Sequence, residues 1–194
     1  MRKIKKGLTS LFILSLLFLI AACTCEPEHR GIEAKAPSFD TLDEMEDASP
    51  VIVQVRKLDK EEPVITKNPR GLVLSCYTFS EVEITNIYKD STGMLSIGDI
   101  ITILENETYD KESHTIYHVA GYNKMVPGKS YLLFLSNHTL ESRVYYVAAG
   151  VNYGTVSLDN DGRSVSQRSI DGYSISDFSY YQDLWEDARE KYIQ

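Results

Sequence analysis

Residues 72–89, LVLSCYTFSEVEITNIYK, restrict the architecture more than any other segment. They alternate too strictly for a helix and run too long for one flat strand, so they predict a strand that bends or carries a bulge. Val82 and Ile84 share a face, after which the phase slips to Ile87. The same texture fills residues 51–158, where short runs rich in Val, Ile, Thr and Tyr are divided by turn residues. About seven strands follow from that pattern: 51–58, 72–89, 100–105, 114–119, 130–136, 144–150 and 155–158. A polar excursion with two prolines separates the first two. In SYLLFLS, Tyr131, Leu133 and Leu135 face one way and Leu132 and Phe134 the other, so this strand is expected to be buried on both sides.

Helical signals flank the strands. Thr41-Leu42-Asp43-Glu44 has the form of a capping box, which predicts a short helix over residues 40–48 ended by Pro50. Near the C-terminus Ile175, Phe178, Tyr181, Trp185, Ala188 and Tyr192 recur at three- and four-residue steps, which predicts an amphipathic helix over about residues 175–192. Ser174 or Ser176 can cap it, with acidic residues early and Arg189 and Lys191 late. With 194 residues, 43% apolar and 25% charged, the chain suits one ordinary globular domain and not a collagen-like, coiled-coil or disordered one.

The N-terminus carries an address. Four basic residues within residues 1–6 precede the uncharged run LFILSLLFLI at 11–20. Ten apolar residues span about 15 Å as a helix, half the hydrocarbon thickness of about 30 Å, so the run reads as a signal h-region instead of a spanning helix. It ends in Leu19-Ile20-Ala21-Ala22-Cys23, which resembles the lipobox of bacterial lipoproteins. That resemblance implies diacylglyceryl transfer to the Cys23 thiol, cleavage between Ala22 and Cys23, and N-palmitoylation of the new N-terminus. The competing readings are an ordinary signal peptide cut after Ala22, with Cys23 a bystander, and an uncleaved anchor helix. Residues 1–22 contain four basic and no acidic residues, so their removal moves the formal charge from -8 to -12. Two acyl chains hold such a body at a membrane that its own charge does not attract. Residues 23–39 are then the lipidated cysteine and a polar tether, and residues 40–194 a single β-rich domain.

The segments YTFSEVEITNIYKD, SIGDIITILENE, PGKSYLLFL and YYVAAG resemble Gram-positive lipoproteins that carry a netrin-like, TIMP-like barrel. A long bent strand, a strand buried on both faces and a flanking helix already predict a small, closed or nearly closed OB-like antiparallel barrel with a short N-terminal helix and a C-terminal amphipathic helix, and the resemblance, over about residues 50–158, implies the same barrel. In the metalloprotease inhibitors of that fold a free N-terminal cysteine chelates zinc. Here Cys23 is expected to be lipidated, so the inhibitory mechanism does not carry over.

Residue patterns for chemistry are sparse. His114 and His118 are four apart, but in a strand they lie about 13 Å from each other and cannot both ligate one metal. His29 falls in the tether and His138 in a turn, so no metal site is expected. Cys25 and Cys76 either form a disulfide or leave Cys76 as a small core residue. Residues 157–162 resemble the start of a calcium loop, yet the twelfth position is Arg168, which favours a hairpin turn. Asn106 and Asn137 fit glycosylation sequons that a bacterial lipobox makes coincidental. No nucleophile elbow, zinc-protease helix, phosphate loop or dinucleotide turn occurs, and Glu81 with Glu83, or Asp43 with Glu44, are spaced as solvated faces. No cofactor and no catalytic residue is therefore expected, and the negative charge disfavours nucleic acid. Thirteen tyrosines, among them Tyr145-Tyr146 and Tyr180-Tyr181, serve either as core or as an interface. The expected function is a membrane-anchored extracytoplasmic module that binds a protein or envelope component. An envelope hydrolase with dispersed residues, and an immunity or stress lipoprotein that sequesters a cationic peptide, are the alternatives.

Overall fold

The computed structural model describes residues 26–159 and 178–193. Their order is β1 (Glu28–Ile32), α1 (Leu42–Asp47), β2 (Val51–Lys67), β3 (Val73–Asp90), β4 (Ile100–Glu105), β5 (Glu107–Asp110), β6 (Thr115–Val119), β7 (Ser130–Leu140), β8 (Arg143–Ala148), β9 (Thr155–Ser157) and α2 (Phe178–Tyr192). The fold is mainly β. A six-stranded sheet runs β2-β3-β4-β8-β7-β9, and a further pairing of β2 with β7 curls it into a partly closed ring. β2 meets β7 antiparallel from Val51↔Leu135 to Arg56↔Ser130, whereas β4 touches β8 over only two parallel pairs, Ile103↔Tyr146 and Leu104↔Val147. A second sheet, β1-β6-β5, contains a parallel β1–β6 pair.

The long bent strand forms as its phase slip requires. β3 pairs with β2 through Val55↔Ile84, Gln54↔Asn86 and Val53↔Ile87, and the extra residue Thr85 moves the apolar face from Ile84 to Ile87. A larger shift between Lys57 and Glu61 separates the ring from an outer β2–β3 arm. That arm corrects the sequence reading: the excursion after residue 58 is strand as far as Lys67. Pro63 is exposed within it and faces Thr78, a ribbon position where a missing N–H is tolerated.

The tether is corrected as well. Residues 28–32 form a strand although they show no apolar alternation, because β6 supplies a ready edge with which their backbone pairs in parallel. With β5 this brings the strands to nine among the described residues.

Two apolar cores lie on either side of β2 and β7. Val51, Val53, Val55, Val82, Ile84, Ile103, Leu133 and Leu135 fill the ring. Ile52, Leu132, Phe134 and Val156 point outward and are covered by Phe39, Leu42 and Met45 at α1 and by Leu184, Trp185 and Ala188 of α2. Both faces of β7 are thus buried, as its sequence requires. Thr41 caps α1 by accepting from the Glu44 N–H at 3.3 Å, and Glu44 accepts from the Asp40 N–H at 2.8 Å. α2 docks through the Trp185 indole, which donates to the Tyr153 carbonyl at 3.0 Å, and through Arg189, which donates to the Ser157 carbonyl at 3.0 Å. Arg189 and Lys191 lie in the last turn, as expected, while the start of the expected helix at 175–177 lies outside the described residues. The caps expected at Ser174 or Ser176 and the turn at 160–162 fall outside the described residues. Gly150, at φ +58, is required: a Cβ there would stand 2.7 Å from the Pro37 carbonyl oxygen and 2.7 Å from the Tyr153 ring.

Candidate functional site

Two loci concentrate side-chain chemistry. The first closes one end of the ring interior. Lys57 continues the inward phase of Val51, Val53 and Val55, and Glu105 that of Ile101 and Ile103, so β-sheet geometry carries both head groups inside. Each is fully buried, with Lys57 Nζ 3.9 Å from Glu105 Oε2. Lys57 also donates to Glu61 Oε1 at 2.9 Å and to the Leu58 carbonyl at 2.9 Å. Glu105 accepts from the Met125 N–H at 2.7 Å, from the Tyr122 hydroxyl at 3.3 Å and from the Ser80 hydroxyl. Burial pushes the Glu105 carboxyl up to about 7, against the lowering influence of Ser80, Met125 and Lys57. Burial likewise lifts the Tyr122 hydroxyl well above its ordinary value. For Glu61 burial is outweighed by hydrogen bonds from Lys124 and Lys57, which hold the carboxyl below its usual range.

The cluster extends to β1. Lys124 bridges Glu61, through its ammonium at 2.6 Å, and Glu107, through its backbone N–H at 3.0 Å. Glu107 Oε2 lies 3.2 Å from His118 Nδ1, which is also 2.9 Å from the Tyr122 carbonyl. A carbonyl only accepts, so Nδ1 of His118 carries the proton. The other nitrogen, Nε2, stands 2.8 Å from His29 Nδ1, and the two rings stack with centroids 5.1 Å apart. In a neutral pair His29 is therefore the donor. This overturns the expected placements: His29 is not idle in a tether but clasps β1 to β6, His114 is not in the strand, and His138 is not in a turn but within β7, paired with Tyr145. His114 sits in the β5–β6 turn at φ 52, with its ring against Tyr109. No group of three metal-ligating side chains is present among the described residues.

The second locus is on the outer sheet face, where the β2–β3 arm approaches the β7–β8 arm. Tyr77 and Phe79 of β3 meet edge to face with centroids 5.1 Å apart, and Phe79 meets Tyr145 of β8 at 5.3 Å. His138 of β7 stacks on Tyr145 at 5.7 Å. The Arg143 guanidinium lies 4.7 Å from the Phe79 centroid and donates to Glu62 Oε2 at 2.8 Å, which holds that carboxyl below its usual range. Tyr145 and Tyr77 are half-buried and His138 and Arg143 exposed, so an incoming molecule meets ring edges and a cation on a rigid sheet.

The other predicted positions are dispersed. Ala22, Cys23 and Cys25 lie outside the described residues, as do the side chains of Tyr180 and Tyr181. Cys76 is a free, buried thiol pushed up to about 11 by burial. Glu81 pairs with Lys60 at 2.5 Å and Glu83 with Arg56, both on the exposed face. Tyr146 belongs to the ring core, and its neighbour Tyr145 to the outer face. Lys57 and Glu105 went unnoticed in the sequence, although a charge in the inward phase of an otherwise apolar strand is the signal that marks them. Compared with known proteins, the chain matches no family model and no curated protein sequence.

Proposed function

We propose that the protein is a lipid-anchored extracytoplasmic binding module, held to the membrane by acylated Cys23, and that its outer aromatic face engages a protein or envelope component. The observation that carries the binding reading is the tier of Tyr77, Phe79, Tyr145, His138 and Arg143 set between two hairpin arms. Aromatic rings beside an arginine are the residues that anchor interfaces. The lipobox at residues 19–23 supports the location.

The OB-like reading of the body adds to this. What supports it is the partly closed ring of β2, β3, β4, β8 and β7, which returns to β2 and contains one parallel contact. In OB barrels the face of the second and third strands and the two flanking hairpin loops take the ligand. Of the corresponding elements here, β3 carries Tyr77 and Phe79, and the aromatic tier continues onto the β7–β8 arm through His138, Arg143 and Tyr145. Lys57 and Glu105 do not compete as a reactive pair, because no solvent reaches either head group.

Cross-linking on intact membranes, followed by mass spectrometry, tests the proposal. The native protein is expected to capture a reproducible species that Tyr145→Ala captures far less well and that unanchored Cys23→Ala does not meet. Equal capture by the Tyr145→Ala and Tyr77→Ala variants would remove the aromatic face from the binding account. Lipid labelling that persists in Cys23→Ala would remove the anchor.

A further inference from the structure

The tip of the β2–β3 arm is built where the anchor attaches. Glu28, the first residue of β1, donates its N–H to the His114 carbonyl at 3.0 Å and so begins at the β5–β6 turn. That turn grips the arm: Lys67 Nζ lies 2.7 Å from Asp110 Oδ2 and 3.0 Å from Glu112 Oε2. Hydrogen bonds from Lys67 and Ser113 hold the Asp110 carboxyl down at about 2, so the clamp stays ionised in any ordinary medium. Beyond Lys67 the chain turns through Asn68, whose side-chain oxygen accepts from the Arg70 and Leu72 N–H groups at 2.9 Å each. Gly71 completes the turn at φ 79. The result is a fixed tip that leaves Leu72 66% and Leu74 63% exposed, with Arg70 and Lys111 exposed nearby.

We propose that this tip is a second membrane contact, in which Leu72 and Leu74 seat in the lipid interface beside the acyl anchor. The inference rests on acylation of Cys23. Only five peptide steps join Cys23 to Glu28, a reach of at most about 18 Å, so this end of the body stays within that distance of the acylated cysteine. Two leucines on a preformed turn then meet the interface without any rearrangement, and with Lys67 and Lys111 balanced by Asp110 and Glu112, Arg70 leaves a cation beside them that suits anionic headgroups. Of the other exposed apolar residues, Met94, Ile97 and Ile100 follow the opposite end of the 18-residue strand β3, Leu140 and Val144 flank the β7–β8 turn, and Val126 and Ile193 lie singly, none of them on the turn that β1 joins. A second anchoring point also restricts rotation about the tether, which fixes how the aromatic face is presented.

The test uses the full chain processed in a bacterial host and reconstituted into phosphatidylethanolamine–phosphatidylglycerol vesicles, with or without brominated acyl chains. In Leu72→Trp the new indole is expected to lose at least about half its emission to brominated lipid, because an indole settles at headgroup level. Met94→Trp serves as the reference and is expected to change little. The native Trp185, buried against Tyr153, is a constant background. Quenching of Leu72→Trp no greater than that of Met94→Trp, with protein still bound to the vesicles, overturns the tip contact and leaves the anchor standing. A blue-shifted Leu72→Trp emission that bromine does not quench overturns it in favour of a protein partner. Protein that floats free of the vesicles with an unmodified Cys23 overturns contact and anchor together.

Discussion

The two ends of the ring interior are filled by opposite means. At one end Val51, Val53, Val82, Ile84 and Leu135 interdigitate with no polar atom among their side chains. At the other, on the same strands and in the same inward phase, Lys57, Ser80 and Glu105 replace them and draw in Tyr122, Lys124 and Glu107. The apolar end is held by non-directional burial, so changes there lose volume and little else. The polar end is held by a network in which each charge is tolerated only because its partners are present. It follows that the two ends differ in how they respond to substitution and in how they respond to pH.

The sharpest way to break that contrast is to remove one partner. Lys57→Ala leaves Glu105 buried without its cation and is expected to destabilise the fold by about 3–5 kcal/mol near pH 8. The loss should shrink toward pH 5, where the carboxyl is protonated. Leu133→Ala, in the apolar end, is expected to cost about 2–5 kcal/mol at either pH. Replacing both Lys57 and Glu105 with apolar residues of similar volume should restore most of the stability lost by the single change, since no uncompensated charge is left. Urea unfolding of the four proteins at the two pH values decides the matter. A Lys57→Ala penalty that does not vary with pH would sink the account.

The next effect is the pH profile of the native protein. Unfolded, Glu105 titrates near 4.5; folded, it keeps its proton up to about 7. Between those values the folded state binds more protons than the unfolded one, so this group makes stability fall as pH rises. At about 1.4 kcal/mol per pH unit the fall amounts to about 3 kcal/mol and is complete above pH 7. Glu61 acts in the opposite sense: its lowered carboxyl contributes stability above its ordinary value of 4.5, lost on acidification below that value. Glu105→Gln should therefore flatten the profile between pH 5 and pH 7 and leave the acid limb in place. An unchanged slope in the variant would assign the titration to another group.

The same contrast explains what was legible in the sequence. The alternation of apolar residues placed β2, β3, β4 and β7, and the slip from Ile84 to Ile87 located a bulge, because periodic burial writes itself into a period-two pattern. Leu132 and Phe134 announced the second core in the same way. The outer arm and β1 did not show, since their strands are held by backbone hydrogen bonds and ion pairs, with few buried side chains to set a pattern. The aromatic tier was visible only as a surplus of tyrosine. Its members come from β3, β7 and β8, and only the sheet register brings Phe79 to Tyr145. Similarly, His29 and His118 are 89 residues apart, and no spacing rule joins them.

That histidine pair gives the smallest effect. The contact needs one donor and one acceptor nitrogen, and Glu107 can balance one positive charge on the pair but not two. His29→Ala removes the stack and the hydrogen bond while leaving the β1–β6 backbone pairing intact, so the expected global loss is only about 1 kcal/mol. The effect should be local. Amide exchange is expected to quicken at Arg30, Ile32 and Ala120, whose N–H groups pin β1 against β6 and the following turn, while β7 amides stay as protected as before. Faster exchange spread evenly over β1 and β7 would mean that the pair supports the whole fold; exchange confined to β1 identifies it as the local clasp of β1 on β6.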